Sequence, residues 1–234
     1  MADTSLKTQA TGKTNYTRKV NHFSLLIIPF LLGAGRHTRV SNGGHPSVNN
    51  LLTLTVDLLS NLLWFLIFIK PIRERVKTIN TAFLSIDRPE DRPYTLLWIS
   101  TQTAANYIIS ILLSAYLITI NRMELIFIPI IINGIGDGLA EPIGVRFGKH
   151  KYKTYALFTK KKYTRSIEGS TCVFITALTT IILFGKSFSP NQFIAALITT
   201  PILMTLTEAI APHSWDNPFL LAVSELLLFL ILQL

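Results

Sequence analysis

Between residues 133 and 149 the chain reads NGIGDGLAEPIGVRFGK: glycines around a carboxylate at the end of an apolar run, followed by basic residues. Asp137 and Glu141 sit where an apolar span should least tolerate charge. An ionisable residue there is costly and marks a functional site by default. Asn133, Asp137 and Glu141 are spaced by four, which places them on one face of a helix. Gly134, Gly136 and Gly138 strip side chains from around Asp137, so another backbone, a phosphate or a metal can come close. The competing reading is a helix kink with a buried polar cluster.

Three more polar clusters carry similar chemistry. They are RKVNH (18–22), the basic run KKKYTR that leads into SIEGS (160–170), and TEAIAP followed by DNP (207–218). Each has a plain structural reading. Juxtamembrane Lys and Arg anchor topology and snorkel to head groups. Ser170 and Asp216 fit as helix caps, with Pro218 fixing a helix start. Thr207 and Glu208 fit as polar contacts between helices. Together, however, the clusters supply cations for phosphates, carboxylates for a hard divalent metal, and small residues for close approach. That is what nucleotide phosphate chemistry requires. No G-x-x-x-x-G-K-[ST] pattern is present, which excludes a P-loop kinase. His37 and His45 lack the close-spaced partners of a metal site.

The elements that must position these clusters are membrane spans. The 234 residues are 49% hydrophobic and 15% charged, with mean hydropathy +0.42. Soluble domains carry roughly 25% charged residues. Runs long enough for a crossing of about 20 residues lie at 51–69, 96–120 and 125–142. Shorter or similar ones follow at 170–184, 192–211 and 219–234. The run 23–35 is short for a crossing; with its basic start and GAG it resembles a signal peptide, but the polar leader is long for one. The expected fold class is therefore all-α, a polytopic membrane helix bundle of six to seven transmembrane helices. Residues 1–22 read as a polar, partly disordered leader and 23–234 as one integral-membrane domain.

If the loops alternate between two sides, 18 of the 22 Lys and Arg fall on one side, leaving Arg36, Arg39, Arg122 and Lys186 on the other. That asymmetry assigns the rich side to the cytoplasm or its equivalent, and all four polar clusters fall on it. The net charge of +9 flanks apolar spans without interleaved aromatics, so membrane lipids and phosphate-bearing substrates are better partners than nucleic acid. Cys172, the single cysteine, permits no intrachain disulfide and reads as a packing residue. No internal repeat is evident, which argues against a transporter built from two similar halves.

The order of RKVNH, NGIGDGLAEPIGVRFGK, RSIEGS and TEAIAPHSWDN resembles the polyprenol kinase family. That family includes dolichol kinase, phytol kinase and CTP-dependent diacylglycerol kinases, and is related to the phosphatidate cytidylyltransferases. The similarity runs from Arg18 to the last span and is densest from Gly134 to Ser170. It implies transfer of the terminal phosphoryl group of CTP, with Mg²⁺, to a long-chain lipid alcohol. In those terms Asp137 and Asp216 hold the metal, and Asp137, Glu141 and Glu208 are the catalytic carboxylates. Arg18, Lys19, Lys149, Lys160, Lys161, Lys162 and Arg165 surround the nucleotide, with Gly136, Gly138, Glu168, Gly169, Ser170 and Asn217. His22 matches the family histidine. Two features depart from the pattern: the segment HKYKTYALFTKKK is longer and more basic, and Glu141 stands where a small or apolar residue is expected. A CMP-transferring cytidylyltransferase and a non-enzymatic transporter or scaffold are the alternatives. Asp57 and Glu225 lie inside spans without a motif.

Overall fold

The computed structural model describes residues 65–87, 92–155, 162–212 and 215–234. Arg18, Lys19, His22, His37, His45, Asp57, Lys160 and Lys161 lie outside the described residues, as do the run 23–35 and most of 51–69. The chain divides into two compact units, 1–97 and 98–234.

In the first unit the stretch after Phe65–Phe68 forms two short helices, α1 (Lys70–Arg75) and α2 (Lys77–Ile86). Pro71 sits in the first turn of α1, where its missing N–H removes no intrahelical bond. Phe68 and Phe83 meet edge to face at 5.8 Å, and the Arg73 guanidinium lies 3.8 Å from the Phe83 ring centroid. Asp87 accepts from Thr95 Oγ1 at 2.7 Å and from Arg92 Nε at 2.8 Å.

The second unit holds most of α3 (Thr95–Thr119), then α4 (Met123–Phe147), a hairpin of β1 (Lys151–Tyr155) and β2 (Lys162–Ser166), and α5 (Ile167–Leu183). It ends with α6 (Pro190–Ile210) and α7 (Asp216–Ile231). The described residues are mostly helical, and α3, α4 and α6 are each long and apolar enough to cross a membrane. The other two expected spans, α5 and α7, have 17 and 16 residues, about 26 and 24 Å at the helical rise. Large apolar side chains face outward, among them Leu112, Leu183 and Ile210.

Helix α5 lies between α4 and α6, and α7 packs on both of these. Val173, Ala177 and Ile181 of α5 meet Ile132, Met204 and Leu220, all essentially without exposure. Small residues set the spacing. A Cβ on Gly169 would lie 2.6 Å from the Ala140 carbonyl oxygen, and one on Gly136 would lie 3.3 Å from the Val173 Cα. Between apolar helices, where lipid competes for the same surface, such backbone approach is a main source of association. Gly169→Ala should therefore cost about 1–3 kcal/mol by overpacking against a carbonyl that cannot move aside. Denaturant titration in micelles would read it.

Two local features differ from the expectation. Residues 151–155 and 162–166 form an antiparallel hairpin, with Tyr152 opposite Arg165 and Thr154 opposite Tyr163. An all-α fold has no place for it, yet both segments alternate Lys with Tyr and Thr, the period and residue types of a strand. Helix α4 also changes winding at Ile132–Asp137, where INGIGD forms a π turn. Single π turns inside α-helices are frequent at functional sites.

Candidate active site

The hairpin sorts its side chains by alternation. Lys151, Lys153, Lys162 and Thr164 point outward and are exposed, while Tyr152, Thr154 and Arg165 turn toward the helices. Arg165 thereby reaches the C-terminal end of α6 and the start of α7. Its Nη1 donates to Glu208 Oε1 at 2.5 Å and to the Glu208 carbonyl. Its Nη2 donates to the Ala211 carbonyl at 3.3 Å and to Asp216 Oδ2 at 3.5 Å. Two of these acceptors are helix-terminal carbonyls with no intrahelical partner of their own.

Glu208 is buried, and its second oxygen is held as well. Ser170 Oγ donates to Glu208 Oε2 at 2.5 Å, and the Tyr152 hydroxyl lies 2.6 Å from Ser170 Oγ and 3.4 Å from the same Oε2. A buried carboxylate in an apolar bundle would be prohibitive without such partners. Burial would lower the Arg165 pKa, but Asp216, Glu208 and Asp137 together outweigh it and raise it. The same influence identifies Asp137, half-buried at the end of the π turn, as a third carboxylate acting on one guanidinium. Burial, joined by the Glu208 charge, also raises the Tyr152 phenol against the opposing Ser170 hydrogen bond. Tyr152 is therefore a neutral hydroxyl donor across the physiological range.

The structure thus joins Arg165, Glu208, Asp216, Ser170 and Tyr152 by hydrogen bonds, with Asp137 near enough to raise the Arg165 pKa. Among the described residues no group of three or more His, Cys, Asp or Glu converges at ligating distance. Mg²⁺ does not require one, because it commonly takes one or two carboxylates and completes its shell with water and substrate phosphates. Asp137 and Asp216 are oxygen donors of that kind, and both act to raise the Arg165 pKa.

Other expected site residues have different partners. Arg165 is engaged by carboxylates and helix-end carbonyls. Ser170 holds Glu208. Gly136 and Gly169 serve helix contact, and Gly138 is buried in α4. Glu168 Oε1 accepts from the backbone amides of Lys149 and His150 at 3.0 and 3.2 Å and pairs with His150 Nδ1 at 2.9 Å, which ties down the turn after α4. The Lys149 and Lys162 side chains are exposed, and Glu141 is half-buried in α4. Asn217 donates its amide to Asp216 Oδ1 at 3.0 Å and accepts from Asn133 Nδ2 at 3.3 Å, linking α7 to the π turn. Tyr152 was missed. Its place opposite Arg165 follows only once 151–166 is read as a hairpin.

Comparison of the chain with family models, curated proteins and solved structures returned no match.

Proposed function

We propose that the chain is a multi-pass membrane enzyme that transfers a phosphoryl group from a nucleoside triphosphate, CTP by resemblance, to a long-chain lipid alcohol. The observation that carries this reading is the buried Arg165, held by Glu208 and Asp216 and under the influence of Asp137, at one end of a set of apolar helices. In this reading α3, α4 and α6 cross the bilayer, and the hairpin lies on the positively charged, cytoplasmic side.

Asp137 and Asp216 would hold Mg²⁺, which when bound neutralises phosphate charge. Arg165 fixes the spacing of Glu208 and Asp216, so the carboxylates are preorganised before substrate arrives. The exposed Lys149 and Lys162 offer charge to the triphosphate at the entrance. In the transfer, the lipid oxygen forms a bond to the terminal phosphorus as the bond to the bridging oxygen breaks. The nucleoside diphosphate leaves with that electron pair, and the hydroxyl proton is lost late to water or a neighbouring carboxylate. Such loose transfer depends on position and electrostatics more than on a strong base.

The nucleotide product tests this. Purified protein with Mg²⁺, CTP and a C20 isoprenoid alcohol should release CDP in step with lipid phosphate. Pyrophosphate with a CMP-lipid would instead identify a cytidylyltransferase. No nucleotide consumption by folded protein would contradict both and leave the transporter or scaffold reading.

A further inference from the structure

An open groove of about 410 Å³ runs between α5 and α6 and ends at the hairpin. Its volume lies within the usual range of small-molecule sites, roughly 300–1,000 Å³. Phe174 and Thr171 of α5 and Thr205 and Ala209 of α6 line it, with Tyr152 and Ser170 also among its walls. The two threonines add little polarity. Thr171 Oγ1 donates to the Ile167 carbonyl at 2.8 Å and Thr205 Oγ1 to the Pro201 carbonyl at 2.7 Å, a back-bonding that occupies the hydroxyl. The remaining polar side chains of the lining are Tyr152 and Ser170, 2.6 Å apart and both within reach of Glu208.

The groove is thus an apolar slot with one polar point, and that point belongs to the carboxylate cluster. A slot that merely accommodates bilayer tails has no need of such a point. Diacylglycerol carries two ester groups that would enter beside its hydroxyl, and beyond Tyr152 and Ser170, which the hydroxyl itself would take, the back-bonded threonines offer them no side-chain donor. A simple long-chain alcohol asks for one polar partner at one end.

We infer that this groove holds the hydrocarbon chain of a single-chain lipid alcohol, with its hydroxyl against Tyr152 and Ser170. The choice of an alcohol as occupant rests on the proposed function. Tyr152 is then a positioning residue: it donates to Ser170 or Glu208 and accepts from the incoming hydroxyl. Its oxygen can do both, since a phenol carries one donor and an acceptor lone pair.

The test is photolabelling of the full chain in micelles, without nucleotide, by a C20 isoprenoid alcohol bearing a diazirine about one helical turn (~5 Å) along the chain from its hydroxyl. Labelled peptides are mapped by mass spectrometry, with unlabelled C20 alcohol, the matching hydrocarbon and diacylglycerol as competitors. Label is expected on the α5 and α6 segments around Phe174 and Ala209, with the alcohol competing at least several-fold better than the hydrocarbon. Tyr152→Phe should lower that preference about 2- to 10-fold, the worth of one neutral hydrogen bond, and leave competition by the hydrocarbon unchanged. Ala209→Trp, which fills the slot, should abolish labelling; should it fail to fold, Tyr152→Phe still decides. Equal competition by alcohol and hydrocarbon, better competition by diacylglycerol, or label outside α5 and α6 would each overturn the inference. Alcohol-selective label in a protein that transfers no phosphate would support the groove and sink the kinase. Transfer without selective label in the groove would do the reverse.

Discussion

Replacing Arg165 by Met should destabilise the protein by about 3–5 kcal/mol, the cost of leaving a buried ionic partner uncompensated. Glu208 is buried and Asp216 mostly so, and Arg165 is their shared counter-charge. The helix-end carbonyls of Glu208 and Ala211 lose a donor in the same step. Arg165→Lys should recover only part of the loss, because an ammonium cannot span the acceptors that the guanidinium fork reaches together. Adding Glu208→Gln to Arg165→Met should recover some stability, since it removes one of the stranded charges. Denaturant titration in micelles of the single and double variants forms a cycle that isolates the pair. Additive losses would mean that Arg165 and Glu208 are not coupled as described.

Asp137→Asn should lower phosphoryl transfer by at least 10²–10³-fold, comparable to losing one preorganised charge-stabilising group. The substitution is nearly isosteric, and Asp137 is only half-buried, so the fold should persist. Asp137 differs in this from Arg165, whose loss should be seen first in stability. Activity of Asp137→Asn is measured with both substrates saturating, and intact folding is checked by its thermal transition. A variant with normal turnover would remove Asp137 from the site.

Much of the site could be read from residue types and spacing. Asp137 stood out because a carboxylate among glycines inside an apolar run has no cheap structural reason. Glu208 and Asp216 each have a plain reading, as a helix contact and a helix cap, and gain weight only because the charge asymmetry of the loops puts them at the same end of the helices as Asp137. The partners of these residues could not be read, because they depend on where a β-hairpin delivers its side chains. In KYKTY and KYTRS the lysines look like phosphate ligands, yet alternation sends Lys151, Lys153 and Lys162 outward and carries Tyr152 and Arg165 to Glu208. Gly136 and Gly169 were open to two readings, a close ligand or a close helix. The Val173 backbone and the Ala140 carbonyl occupy the space beside them. The π turn over INGIGD was hidden as well, because glycines permit a change of winding without specifying one.

The most direct test of the central claim is a single-turnover reaction in detergent with Mg²⁺ and CTP labelled on its terminal phosphate. Phytol, dolichol, farnesol and diacylglycerol are offered in turn, and Asp137→Asn runs beside the natural chain. Label should pass to a single-chain alcohol and should stay in the nucleotide with the variant. Folded protein that leaves all the label in CTP with every alcohol would contradict the account.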